Sequence, residues 1–147
     1  MTLAVDSAVL IDLLAASDAT RADPAEASIR DALRQGLVVM NDVVVAEVCA
    51  GLGDGADVMD ALREAGITLS PMSEQACVRA GEMHRKYLTR QKKAPSAPTK
   101  SRNVSDFLIG AHAHLQCDGL ITYDQAFFRD YFKGLRLITP KGIEHVA

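Results

Sequence analysis

Apolar and polar positions fall into alternating blocks along this chain. The short apolar run "TLAV" ends at Asp6, and "SAVLIDLLAA" then places Val9, Leu10, Leu13 and Leu14 at helical spacing. Asp23-Pro24 predicts the start of a second helix through "AEASIRDALRQ", with Pro at the first turn and Gly36 past the end. "LVVM" reads as a second buried strand. Asn41 or Asp42 can cap a helix over "VVVAEVCAGL", although its valines are poor helix formers. Gly53 to Gly55 break the chain before the helix "ADVMDALREAG". "ITLSPM" is a third strand cut by Pro71, and a long helix runs from Ser73 into the early 90s. After the polar loop "APSAPTKSRN", Ser105 or Asp106 starts the helix "DFLIGAHAHLQC". "GLIT" is a strand, "QAFFRDYF" a short helix, and "LRLIT" the last strand.

Strand and helix alternate almost throughout, which predicts an α/β domain with a mostly parallel sheet of about five strands and helices on both faces. At 147 residues the chain is expected to be one domain, 1–147, with a core that needs no staples. No internal repeat or low-complexity segment divides it. No apolar run approaches the roughly 20 residues needed to cross a bilayer, so a membrane role is not expected. The first residues lack a basic n-region and carry Asp6 and Asp12, so they are expected to belong to the folded structure. Cys49, Cys77 and Cys117 form no Cys-x-x-Cys pair; they predict buried, reduced thiols in a cytoplasmic protein.

Charge is distributed unevenly. Residues 1–80 hold 13 Asp and Glu against 5 Lys and Arg, whereas residues 84–102 hold 7 Lys and Arg and no acid. Arg90, Lys92, Lys93, Lys100 and Arg102 in that segment are candidates for holding a polyanion, or a solvated helix end.

In a parallel sheet, ligands bind outside the carboxyl ends of the strands. Asp6 follows the first strand and Asp124 follows "GLIT". Asp106 begins a helix that leads back into the sheet, and Glu47 lies about one and a half turns into the helix after the second strand. Four carboxylates could therefore meet on one edge. Taken singly, Asp6, Asp106 and Asp124 read equally well as helix caps, each stabilising by about 1 kcal/mol. Glu47 does not: it sits inside a helix among small apolar neighbours with no cation one turn on. Converging acids repel unless a cation neutralises them. The hard cations Mg²⁺ and Mn²⁺ suit an all-oxygen site and can activate water against a phosphodiester.

The order of Asp6, Glu47 in "VVVAEVCAGL", Asp106 in "SDFLIGAHA" and Asp124 in "LITYDQAFFRDYF" resembles the PIN-domain nucleases. The last two stretches are particularly similar to the VapC toxins of bacterial toxin–antitoxin pairs, and the likeness runs to the closing "FKGLRLITP". It implies a PIN-like fold and a Mg²⁺- or Mn²⁺-dependent endoribonuclease with those four acids as its metal centre. It further implies supporting roles for Ser7 and Thr122, a homodimer, and inhibition by a small VapB-like antitoxin. Two features depart from the pattern. The connection containing "KKAPSAPTKSR" is longer and richer in Pro than the compact basic turn of the family, and "ND" stands before the Glu47 helix where Ser or Thr is usual.

His112 and His114 are two apart on a helix and share no face, so solvated or core-edge positions are expected. Tyr123, Phe127, Phe128, Tyr131 and Phe132 can stack on bases, but their helical spacing predicts packing first. A module that binds RNA or protein without turnover is the competing function. A receiver domain phosphorylated on Asp would need a Lys after a late strand, and Lys141 comes only just past the last one. A DNA flap nuclease shares the acid-only chemistry but needs extra helices for which this chain is short.

Overall fold

The computed structural model describes residues 1–15, 19–94 and 101–141. Among the described residues the order is β1 Thr2–Val5, α1 Ser7–Ala15, α2 Ala19–Gln35, β2 Leu37–Met40, α3 Asp42–Leu52, α4 Gly55–Glu64, β3 Ile67–Leu69, α5 Glu74–Lys93, α6 Val104–Gln116, β4 Gly119–Ile121, α7 Gln125–Tyr131 and β5 Arg136–Ile138. The five strands form one wholly parallel sheet in the order β3-β2-β1-β4-β5. The expected α/β architecture is thus realised, and every strand falls where the apolar runs placed it.

The chain winds outward from β1 to β2 and β3, then returns to place β4 on the other side of β1. This reversal makes the carboxyl ends of β1 and β4 the switch point of the sheet, where its crevice opens. Ala4 lies beside Leu120 and Val5 beside Ile121. The ladder extends one residue further, because the N–H of Asp6 donates to the Ile121 carbonyl at 2.9 Å. Asp6 and Thr122 consequently emerge side by side.

The three central strands, β1, β2 and β4, are buried apolar runs because helices cover them, whereas the edge strands β3 and β5 are more exposed. Leu3, Ala4, Val5, Val38, Val39, Met40, Leu120 and Ile121 meet Val9, Leu10, Val44, Val48, Leu62 and Phe107 in one core. Each fully buried side chain of this size contributes roughly 1.5–3 kcal/mol. Helix α6 is enclosed along most of its length, packed on α5, β4 and α3. A Cβ on its Gly110 would stand 2.2 Å from the Phe132 ring, so only glycine lets that ring lie against the helix.

Four details differ from the pattern-based expectation. Helix α2 begins at Ala19, and Pro24 lies inside it; a proline gives no N–H to the ladder, but the apolar face of Ala25, Ile29 and Ala32 holds the helix through that point. Gly36 ends α2 for a reason other than a left-handed turn: a Cβ there would stand 1.8 Å from the Met1 carbonyl oxygen. Asn103 rather than Ser105 or Asp106 caps α6, forming a capping box in which the Asp106 side chain accepts from the Asn103 N–H at 3.2 Å. The three cysteines are free but not buried; Cys49 and Cys117 are half-buried and Cys77 is exposed. The buried face of α5 runs through Ala76, Ala80 and Met83, which turns Cys77 outward. Burial still pushes the Cys117 thiol up to about 11 from 9.0, with Asp118 adding to the rise.

Candidate metal centre at the sheet's switch point

Asp6 is the hub. Its Oδ2 accepts the Thr122 hydroxyl at 2.7 Å and its Oδ1 accepts the Ser7 backbone N–H at 2.9 Å. Thr122 is wholly buried, and its own oxygen accepts the Asp124 N–H at 3.0 Å. The two positions expected to support the site therefore do touch Asp6, Ser7 through its backbone and Thr122 through its hydroxyl. Burial pushes the Asp6 carboxyl up to about 6 from 3.8. The hydrogen bonds from Thr122 and Ser7 pull the other way, and the neighbouring charges of Glu47 and Asp106 push it higher. Glu47 and Asp106 are thus both close enough to act on Asp6.

Glu47 arrives from α3, whose start is fixed by the Asn41 side chain accepting from the Val44 N–H at 2.8 Å. Val44 and Val48 are buried on this helix, and Glu47 shares their part of its surface. Its Oε1 is buried and has no hydrogen-bond partner among the described residues. A buried carboxylate oxygen left this way costs free energy until a proton or cation reaches it. Asp106 divides its duty: one oxygen closes the capping box of α6, while its charge reaches Asp6.

Asp124 stands apart. It occupies the N-cap position of α7 but makes no side-chain cap hydrogen bond. Its Oδ2 instead meets the guanidinium of Arg102 at 2.5 Å. Arg102 is only 13% exposed at the side chain, with its Cζ 4.2 Å above the centre of the Phe127 ring and its backbone N–H donating to the Tyr87 hydroxyl at 3.1 Å. Phe127 belongs to an aromatic block in which Phe107 lies 5.1 Å from Phe127 and 5.3 Å from Tyr131. Phe127, Phe128, Tyr131 and Phe132 are buried, so the aromatic residues of α7 pack the core as their spacing suggested.

Of the other cations singled out in the sequence, Arg90, Lys92 and Lys93 are exposed near the end of α5, and Arg90 lies 5.3 Å over Tyr131. Lys100 and most of the Pro-rich connection lie outside the described residues. His112 is not at the core edge but fully buried, its Nε2 3.0 Å from the Ser70 hydroxyl; burial pulls its pKa down, opposed by Asp42 and the Ser70 contact. His114 is half-buried, against Phe132.

The chemistry of the donors fits a hard divalent cation: every candidate ligand is a carboxylate, and Glu47 offers a buried oxygen with nothing else to bind. Among the described residues, no group of three or more His, Cys, Asp or Glu is drawn together tightly enough to hold an ion as it stands. Like charges have no reason to close further without a cation between them.

A parallel sheet reversing at β1, with Asp6 at the switch point under the charges of Glu47 and Asp106, defines a doubly wound α/β domain. The chain belongs to the PIN domain family, which it matches over residues 3–133. Its fold is similar to that of a chain of VapBC2 from Rickettsia felis, crystallised with a DNA fragment from its promoter (TM-score 0.69, 16% identity, 95% of this chain and 98% of the other covered). It is also similar to a chain of VapBC-1 from nontypeable Haemophilus influenzae (TM-score 0.62, 20% identity, with the same coverage of 95% and 98%). VapC20 of Mycobacterium tuberculosis, described as a toxin that cleaves the sarcin–ricin loop, is a third (TM-score 0.56, 16% identity, 91% and 98% covered). No curated protein matches the chain in sequence. Among the described residues no helix is long and apolar enough to cross a membrane.

Proposed function

We propose that this chain is a single-domain, divalent-metal-dependent endoribonuclease of the VapC type, the toxin of a type II toxin–antitoxin pair. The reading rests on membership of the PIN domain family, on the likeness to chains of VapBC complexes, and above all on one observation. The unpartnered oxygen of Glu47 is buried beside a hub, Asp6, whose proton affinity Glu47 and Asp106 both raise.

Asp6, Glu47 and Asp106 would hold Mg²⁺ or Mn²⁺. Bound there, the ion would acidify a water and offset the charge that builds on the phosphodiester as it is hydrolysed. Thr122 and the Ser7 N–H fix both oxygens of Asp6, so its carboxylate needs no reorientation when the substrate arrives. Asp124 borders the same crevice and completes the acid set. Arg90, Lys92 and Lys93 offer exposed charge to the RNA backbone, and Lys100 is a further candidate by its sequence. We also propose a VapB-like antitoxin as partner, a homodimer as the assembly, and the cytoplasm as the location.

Incubating purified, antitoxin-free protein with total bacterial RNA tests this reading. Discrete fragments with Mg²⁺ or Mn²⁺, and none with EDTA or in Asp106→Asn, are expected. Intact RNA under every condition, from folded protein, would favour the alternative, a PIN-like module that binds RNA or protein without turnover. That alternative has one observation on its side, the Arg102 guanidinium already occupying Asp124.

A further inference from the structure

Asp124 and Asp6 differ in what they are given. Both follow strands that neighbour each other at the switch point, yet among the described residues only Asp124 receives a protein cation. Arg102 is a poor candidate for an accidental surface partner. Its side chain is largely buried, it stacks on Phe127 at 4.2 Å, and its backbone is tied to Tyr87, which itself lies 5.7 Å from Phe107 and 6.1 Å from Tyr131. The guanidinium is planar and permanently charged, so an aromatic face and a carboxylate together define its place more closely than either alone. Asp124 in turn makes no cap hydrogen bond to α7, so the capping role leaves its carboxylate uncommitted.

We infer that Arg102 is a positioning residue that neutralises Asp124 from within the chain and thereby confines the resting cation site to Asp6, Glu47 and Asp106. This rests on the nuclease reading for the existence of that site, and it adds what the reading leaves open: which acids take an ion before substrate arrives. Affinity for a hard cation follows the number of charged ligands a site presents. With Arg102 in place, the crevice presents three uncompensated carboxylates. Without it, the crevice presents four, and the fourth can recruit an ion of its own. Arg102 thus sets the metal stoichiometry without touching the metal.

Calorimetric titration of the antitoxin-free protein with MnCl₂ tests this without reference to activity. Wild type is expected to bind one ion, and Asp124→Asn to bind one ion as well, because Asp124 is not among its ligands. Arg102→Gln is expected to add a second, weaker equivalent, and Arg102→Gln/Asp124→Asn to lose that equivalent again. An Arg102→Gln isotherm identical to wild type would overturn the inference, as would a loss of the first ion in Asp124→Asn. Should Arg102→Gln fail to fold, the Asp124→Asn result decides alone, since that carboxylate caps nothing. Failure of the underlying reading looks different: wild type takes up no Mn²⁺, or Asp106→Asn binds it as wild type does.

Discussion

The two aspartates that leave β1 and β4 make an instructive pair. Asp6 is met by a hydroxyl, a backbone N–H and two acidic neighbours, and burial lifts its carboxyl to about 6. Asp124 is met by a guanidinium that stands on an aromatic ring. Dipoles can orient a carboxylate, but they do not cancel its charge against others nearby. On the proposed reading the Asp6 side of the crevice is where an external cation would be needed, while Asp124 has a cation from within the chain. Position at the switch point makes an acid available; its partners decide what the acid is available for.

The sharpest way to break this contrast is to remove an acid from the unsatisfied side. Glu47→Gln or Asp106→Asn should lower metal-dependent RNA cleavage at least about a thousandfold, or roughly 4 kcal/mol of barrier, measured as single-turnover rates. Thermal unfolding of the metal-free Glu47→Gln protein should be unchanged or later than wild type, because the group that carries the buried, unpartnered oxygen becomes a neutral amide.

A second test uses pH. The folded chain holds a proton on Asp6 up to about pH 6, whereas the unfolded chain releases it near 3.8. The stability linked to this proton is complete below 3.8 and is lost as pH rises through about 6. The loss amounts to at most about 3 kcal/mol. Asp6→Asn should remove that slope, so the variant's Tm relative to wild type should climb by up to about 10 °C between about pH 4 and 7 in EDTA. A constant difference across that range would mean that Asp6 titrates normally.

Thr122→Val is the smaller perturbation. It keeps the shape but strips Asp6 of its hydroxyl donor and the Asp124 N–H of its acceptor. A loss of about 1–3 kcal/mol in urea unfolding is expected, with cleavage reduced about 10–100-fold, as for groups that orient a metal ligand. Smaller still is Asn41→Ala, which removes the cap of α3 and should cost about 1 kcal/mol while leaving cleavage nearly intact.

The contrast between the two aspartates was only half legible in the sequence. Apolar runs of three or four residues located every strand, and alternation with helices implied the parallel sheet, because those signals are local. The place of Asp6 followed from its position directly after "TLAV". The pairing of Arg102 with Asp124 joins residues 22 positions apart, and no spacing rule links a loop cation to a helix start. The sequence singles out Arg102 only as one of five cations for a polyanion; what could have tied it to the acids was its place immediately before the capping residue of α6, the helix that carries Asp106. The facing of α5 was hidden for a similar reason. Ala76, Cys77 and Val78 are all compatible with a core, and only the packing of α5 on α6 selects Ala76 over its neighbours. Pro24 misled because a proline reads as a helix start, whereas the helix here already has a full turn before it.

The most direct test of the account is the Mn²⁺-induced change in Tm at pH 7 for wild type, Asp6→Asn and Asp124→Asn, each free of antitoxin. An ion bound only by the folded chain, at roughly a hundred times its dissociation constant, should raise the wild-type Tm by about 5–10 °C. The same rise in Asp124→Asn, and none in Asp6→Asn, is the predicted result. An equal rise in all three proteins, or none in wild type, would contradict it and remove the cation from the Asp6 side of the crevice.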